Sequence, residues 1–170
     1  ISSIQAFSFE TQSIALGQGW DIYSTYINPT NPTMESVFSS VIANVLIIKN
    51  GNGLVYWPPY INQIGSIAMG EGYQVNMAVS DLLEISGSAV VPELTPISIP
   101  NGWSILGYLR NSPASAVTML SSIVNDIVIV KDGWGAVYWP VWGVNNIGNL
   151  VPGGGYQINL SNSATLTYSA

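Results

Sequence analysis

The sequence predicts an α+β fold that is mainly β. It is read as two similar units of about 83 residues, each with five or six strands and one helix, in a small barrel or sandwich-like arrangement. Three observations carry this. Lys131-Asp132-Gly133-Trp134-Gly135-Ala136-Val137-Tyr138-Trp139-Pro140 has a twin at Lys49-Asn50-Gly51-Asn52-Gly53-Leu54-Val55-Tyr56-Trp57-Pro58. The runs Val45–Ile48 and Ile127–Val130 are short, apolar and β-branched, which suits buried strands. Tyr73, Val75 and Met77 alternate with Gln74 and Asn76, as Tyr156, Ile158 and Leu160 do with Gln157 and Asn159, which is the period of a half-buried strand.

The match extends over most of both halves. Glu10 and Gly19-Trp20 correspond to Glu93 and Gly102-Trp103. Ile64-Gly65, Gly72-Tyr73-Gln74 and Leu83 correspond to Ile147-Gly148, Gly155-Tyr156-Gln157 and Leu166. The boundary is placed near Gly87-Ser88, giving units 1–87 and 88–170, related by a pseudo-two-fold or a simple translation. Units of this size fold alone only marginally, so a substantial interface between them is expected.

In chain order, Ile4–Phe9 is an extended segment, and Ala89-Val90-Val91 is its weaker counterpart, limited by Pro92, Pro96 and Pro100. Strands Trp20–Ile27 and Trp103–Leu109 follow, covered on both sides, with Trp20 and Trp103 expected in the core. Asn31-Pro32 and Ser112-Pro113 read as an N-cap followed by proline at the first helical position. Met34, Val37, Phe38 and Val41, and then Val117, Leu120 and Val124, predict helices of about three turns. Asn50-Gly51 and Asp132-Gly133 read as hairpin turns. Leu82–Ile85 and Thr165–Tyr168 are the closing strands.

Composition narrows the function. Apolar residues make up 48% of the chain, enough for a core, and charged residues only 7%, against about 25% in ordinary soluble domains. A surface of Ser, Thr, Asn, Gln and Gly suits an extracellular, assembled or glycan-facing protein. The net charge is −6, and the three cations are Lys49, Arg110 and Lys131. Three cations do not make a phosphate-binding patch, so nucleic acid is not an expected partner. No apolar run approaches the roughly 18 residues of a membrane span, so membrane insertion is not expected. No signal peptide is visible, and a first residue of Ile1 suggests a processed or excised segment.

Catalysis is not expected. The chain has no histidine and no cysteine, which removes the imidazole base, the thiol nucleophile and His- or Cys-ligated metals. No metal or other cofactor is predicted. Glu10 with Lys49, and Glu93 with Lys131, recur together and read as structural ion pairs. Gly70-Glu71-Gly72 and Gly153-Gly154-Gly155 precede strands rather than helices, so they read as turns rather than phosphate loops.

The motifs Gly-Trp, Lys-Asp-Gly-x-Gly-x-x-Tyr-x-Pro, Ile-Gly-x-Leu and Gly-x-Gly-Tyr-Gln resemble a repeat module of long secreted or cell-surface bacterial proteins. Bacteroidetes-type, marine and phage-borne sequences carry similar segments. The resemblance implies modularity and a secreted, cell-surface or virion setting. It brings no catalytic or binding residues with it.

The aromatics are the functional lead. Sugars present flat C–H faces, which proteins meet with exposed indole or phenol rings and amide hydrogen bonds. The candidate ligand-binding residues are Trp142, Trp134, Tyr60, Asn145, Asn146, Asn62 and Gln157, chosen because the aromatics lie in loops or turns with amides near them. The expected function is a non-catalytic extracellular or cell-surface module that binds polysaccharide or another surface ligand. The alternative is a structural unit of a surface layer, filament, fibre or virion, whose partner is a copy of itself. Aromatics rimming a cleft favour the first, and a flat apolar patch or an exchanged strand favours the second.

Overall fold

The computed structural model describes residues 8–170. Of the expected N-terminal extended segment, Ile4–Phe7 therefore lies outside the described residues.

Alternating residues and glycine turns give a β-rich chain. Its first half contains β1 (Phe9–Leu16), β2 (Gly19–Tyr23), β3 (Ile27–Pro29), α1 (Met34–Val37), β4 (Val45–Lys49), β5 (Val55–Trp57), β6 (Ile61–Asn62), β7 (Tyr73–Met77) and β8 (Asp81–Ala89). Its second half contains β9 (Ile97–Ile99), β10 (Gly102–Gly107), β11 (Ala114–Ser115), α2 (Ala116–Met119) and β12 (Ile127–Lys131). It continues through β13 (Val137–Trp139), β14 (Val144–Asn145), β15 (Asn149–Leu150), β16 (Gly155–Leu160) and β17 (Ala164–Leu166).

Each half holds a five-stranded antiparallel sheet, in the orders β2-β7-β4-β5-β6 and β10-β16-β12-β13-β14. The registers correspond. Trp20 faces Asn76 and Trp103 faces Asn159, while Lys49 faces Gln74 and Lys131 faces Gln157. Both sheets shift register at one step, between Val45 and Ile47 and between Ile127 and Ile129. That bulge throws Leu46 and Val128 outward, so these runs are strands but not buried on both faces. A second layer is formed by β1-β8-β3 in the first half and by the pair β9-β17 in the second, with β11-β15 as a further small pair.

Inward residues form two hydrophobic clusters. One contains Tyr23, Phe38, Ile48, Tyr73, Val75 and Leu83, and the other contains Leu106, Tyr108, Val130, Tyr156, Ile158 and Leu166. As alternation predicts, Tyr73, Val75 and Met77 are buried and Gln74 and Asn76 are half-buried.

The helices are shorter than the apolar spacing predicts. Each is a single α turn, followed by a 3-10 turn at Ile42–Asn44 or Ser121–Asp126. The hydroxyl of Ser39 bonds the carbonyl of Ser36, and that of Ser121 the carbonyl of Thr118, at 2.9 Å each. Such side chains compete with the next helical amide for its acceptor and suit short turns. The caps also differ from expectation. Thr33 and Ser115 precede the helices, and Asn31 instead accepts the amide of Thr33 at 3.2 Å.

The hairpin tips are longer than a two-residue turn. Asn50 Oδ1 accepts the amides of Asn52 and Leu54 at 3.0 and 2.9 Å, and Asp132 Oδ1 accepts those of Trp134 and Ala136 at 2.9 and 2.8 Å. The positive φ falls at Gly53 (79°) and Gly135 (90°) rather than at the glycine beside the Asn or Asp.

The halves meet along a seam of backbone. Tyr23 bridges to Gly154, and the matched pair Leu106 and Glu71 makes the same bridge. Ser24 donates its N–H to Gly153 at 3.0 Å, and the matched Gly107 donates to Gly70 at 2.8 Å. Exchanging the halves turns each of these contacts into the other. The close approach depends on glycine. A Cβ on Gly72 would lie 2.6 Å from Ile105, and one on Gly155 would lie 2.7 Å from Ile22.

Candidate ligand-binding faces

Sheet parity decides what each five-stranded sheet shows to solvent. In the first half Tyr23, Tyr73, Val75, Ile48 and Tyr56 point inward and are buried. The opposite parity therefore faces out: Trp20 and Ile22 on β2, Gln74 and Asn76 on β7, Ile47 and Lys49 on β4, and Val55 and Trp57 on β5. The second sheet repeats the face with Trp103, Ile105, Gln157, Asn159, Ile129, Lys131, Val137 and Trp139.

Trp20 and Trp103 are 52% and 51% exposed, which corrects their expected place in the core. The strands that carry them are covered on one side only. The segment Gly-Trp-Asp-Ile-Tyr puts Trp20 and Ile22 on one parity and Asp21 and Tyr23 on the other, so the period of two favours the wrong side as the inward one. Tyr23 and Leu106 turn inward instead.

The lysines also differ from expectation. Glu10 stands on β1, in another sheet, and Glu93 lies in a 3-10 turn. Instead of pairing with them, Lys49 Nζ lies 4.9 Å from the Trp20 ring centroid and Lys131 Nζ 5.0 Å from that of Trp103. A cation over an indole face is attracted by the ring quadrupole and fixes the ring's pose. Each face thus has a lysine-backed Trp at one margin. A floor of amide and aliphatic side chains follows, and a second Trp closes the other margin. The two indoles stand three strand spacings apart, about 14 Å between backbones.

The expected binding residues fall in three places. Tyr60 and Trp142 are exposed and meet Trp57 and Trp139 edge to face, at centroid distances of 5.4 and 6.3 Å, so both extend the outer margin of a face. Gln157 stands on the floor of the second face. Trp134, 85% exposed, sits at the other end of β13 from Trp142 and is not brought to it.

Trp134 lines a cleft of about 250 Å³ at the seam, together with Asp21, Ile22 and Asn149. A matching cleft of about 260 Å³ has Asn52, Glu71, Ser104 and Ile105 among its walls. Each cleft places one half's hairpin tip against the other half's edge strand.

Asn62 and Asn145 work inside their own loops. Asn62 Oδ1 accepts the amide of Gly65 at 2.7 Å, and Asn145 Oδ1 accepts that of Gly148 at 3.0 Å. Asn62 also donates to Glu35 at 2.8 Å. Asn146 is exposed, and its backbone amide holds the carbonyl of Val137 at 2.8 Å.

The carboxylates near the seam are likewise engaged. Asp21 accepts the amides of Gly17 and Ile22 at 3.1 and 2.8 Å, as Asp132 accepts those of its own turn. Away from the seam, Asp81, bonded by the Asn44 side chain and by the amide of Leu82, is held below the usual carboxylate range. Among the described residues no group of three His, Cys, Asp or Glu is placed to hold a metal. No described helix is long and apolar enough to cross a membrane.

Sequence reasoning did not put Trp20, Trp103 and the two lysines among the candidate residues of these faces. Their signal was joint recurrence, since Gly-Trp and Lys-x-Gly appear together in both halves. No family model, curated protein or solved structure matches this chain.

Proposed function

We propose that the chain is a non-catalytic glycan-binding module of a secreted or cell-surface protein, made of two copies of one unit (1–87 and 88–170) that each present one binding face. The observation that carries this is the outer face itself. Trp20 and Trp57 flank Gln74 and Asn76 in the first half, as Trp103 and Trp139 flank Gln157 and Asn159 in the second. Indole faces stack on sugar C–H faces, and a side-chain amide both donates to and accepts from hydroxyls. Tyr60 and Trp142 add aromatic surface at the margin. The absence of histidine and cysteine from the sequence, and the backbone bonds that occupy Asp21 and Asp132, support a binding role over a catalytic one. The resemblance to surface repeat modules supports the setting.

The test is a glycan array probed with the whole chain, followed by titration calorimetry on any hit. Binding by the wild type that disappears in a Trp20→Ala/Trp103→Ala double variant that remains folded at the assay temperature is the expected result. Binding that survives in that variant would move the site off these faces, and silence across the array would sink the reading.

A further inference from the structure

We propose that the ligand of these faces is an anionic glycan, whose uronate carboxylate or sulfate ester meets the ammonium of Lys49 or Lys131. This rests on the glycan-binding reading and names its substrate class. The argument starts from charge. The chain has three cations against nine acids, yet two of the three cations stand at matched positions on the two outer faces. Each lies on the third strand of a five-stranded sheet, the middle of the face. The outward positions of both sheets carry no Asp or Glu: Trp20, Ile22, Gln74, Asn76, Ile47, Lys49, Val55 and Trp57 in one, and their counterparts in the other. Each face is therefore locally cationic on a molecule of net charge −6.

Geometry adds to this. Each lysine is half-buried, and its ammonium stands over the indole, 4.9 or 5.0 Å from the ring centroid, so its position is set before any ligand arrives. A ring offers a cation attraction but no hydrogen-bond acceptor of carboxylate strength. An acidic sugar stacked beside the indole would supply that acceptor. Gln74 or Gln157, directly opposite the lysine across the ladder, places a further amide donor beside it. A neutral sugar would use the indole and the amides and leave the ammonium without an anionic partner.

The experiment is affinity electrophoresis of the whole chain in native gels carrying one immobilised polymer at a time, at fixed ionic strength. The polymers are hydroxyethyl cellulose (neutral), polygalacturonate (carboxylate) and dextran sulfate (sulfate ester). The expected result is retardation by one or both anionic polymers well beyond that by the neutral one, and the more retarding polymer identifies the anion. A Lys49→Gln/Lys131→Gln double variant should bind the anionic polymer at least about tenfold more weakly, the loss of one charge-assisted hydrogen bond. Retardation is read against a polymer-free gel, because the variant carries two fewer positive charges than wild type. Any retardation by the neutral polymer should fall far less than that by the anionic one, the melting temperature should drop only by the small amount of a lost exposed cation–π contact in each half, and Lys49→Arg/Lys131→Arg should restore anionic binding. A merely structural lysine would lower melting and all binding together, and that result overturns the proposal. So does anionic binding that survives the Gln variant. Retardation by the neutral polymer alone overturns the proposal and leaves the glycan-binding reading standing. If the array is also silent, both fall.

Discussion

The backbone N–H of Tyr108 donates to the hydroxyl of Ser24 at 2.9 Å, and that hydroxyl donates in turn to the carbonyl of Gly154. Ser24 and Tyr108 are both buried, and they belong to different halves. The repeat matches Ser24 to Gly107, which has no side chain, so this bond is made on one side of the seam only. Ser24→Ala leaves the Tyr108 amide buried without its acceptor. The expected loss is about 1–3 kcal/mol in urea denaturation. A variant as stable as wild type would show that the hydroxyl contributes nothing to joining the halves.

The seam also sets a steric prediction. Gly72 and Gly155 are matched, and each faces an isoleucine of the other half. An added Cβ would lie 2.6 Å from Ile105 Cγ2 in one case and 2.7 Å from Ile22 Cγ2 in the other, with backbone carbonyls at 3.0 and 2.8 Å behind them. Gly72→Ala and Gly155→Ala should each destabilise by about 1–3 kcal/mol through overpacking. The control is Gly53→Ala, where a Cβ meets nothing within 4 Å but φ is +79°. Its loss should come from backbone strain and leave the seam intact. Limited proteolysis between the halves should therefore accelerate in the first two variants and not in the third.

The hairpin tips predict an asymmetric response to two substitutions at one position. Asn50 and Asp132 do the same work, a single Oδ1 accepting two backbone amides. Asn50→Asp keeps that oxygen and should leave the melting temperature nearly unchanged at pH 7. Asn50→Ala removes it from a buried position and strands two amides, which should lower stability by about 1–3 kcal/mol. Equal effects from both substitutions would mean that the turn is held by Gly53 and the β-ladder alone.

The strand pattern was legible where residues alternate strictly. Tyr73 to Met77 and Tyr156 to Leu160 show their inward and outward sides from sequence alone, and the hairpin regions around Tyr56 and Tyr138 follow from their repetition. The outer faces were hidden because Trp and Ile share one parity of β2 and β10 while the inward parity carries Asp21 or Ser104 beside Tyr23 or Leu106, and indole is as much at home in a core as on a binding face. The helices were over-read because Met34, Val37, Phe38 and Val41 have helical spacing, while the serines between them bond the backbone and end the α turn early. Asn62 and Asn145 looked like loop amides free for a ligand. Composition does not say that a glycine three residues on will engage the same side chain.

Buried tyrosines predict the response to alkali. Burial pushes the Tyr156 phenol up to about 12, and it pushes Tyr73, Tyr23 and Tyr168 up as well. An unfolded tyrosine ionises at about pH 10. The folded state therefore holds these protons more tightly than the unfolded state. Their contribution to stability is fully present below about pH 10 and is lost as pH rises from there through the folded-state values. Stability should be flat in this respect between about pH 7 and 9 and fall steeply above about 10, with the tyrosinate absorbance of these four appearing only as the fold is lost, while exposed Tyr60 ionises in the folded chain. Tyrosinate signal from all nine tyrosines near pH 10 in a chain that is still folded would contradict the burial of these four.

The exposed tryptophans give the sharpest separation between stability and binding. Trp103 stands on the outer face, half exposed, with Lys131 over its ring, whereas Ile158 on the neighbouring strand is fully buried. Ile158→Ala removes core methyl groups and should destabilise by about 2–5 kcal/mol. Trp103→Ala loses a solvent-facing cation–π contact and part of the ring's burial, so the loss should stay near 1 kcal/mol. Paired urea titrations decide between them. If Trp103→Ala behaves like Ile158→Ala, the ring is a structural plug, and the outer face loses the residue on which its binding role depends. If it stays folded and stable but no longer binds the glycan found for the wild type, the indole is held at the surface for the ligand.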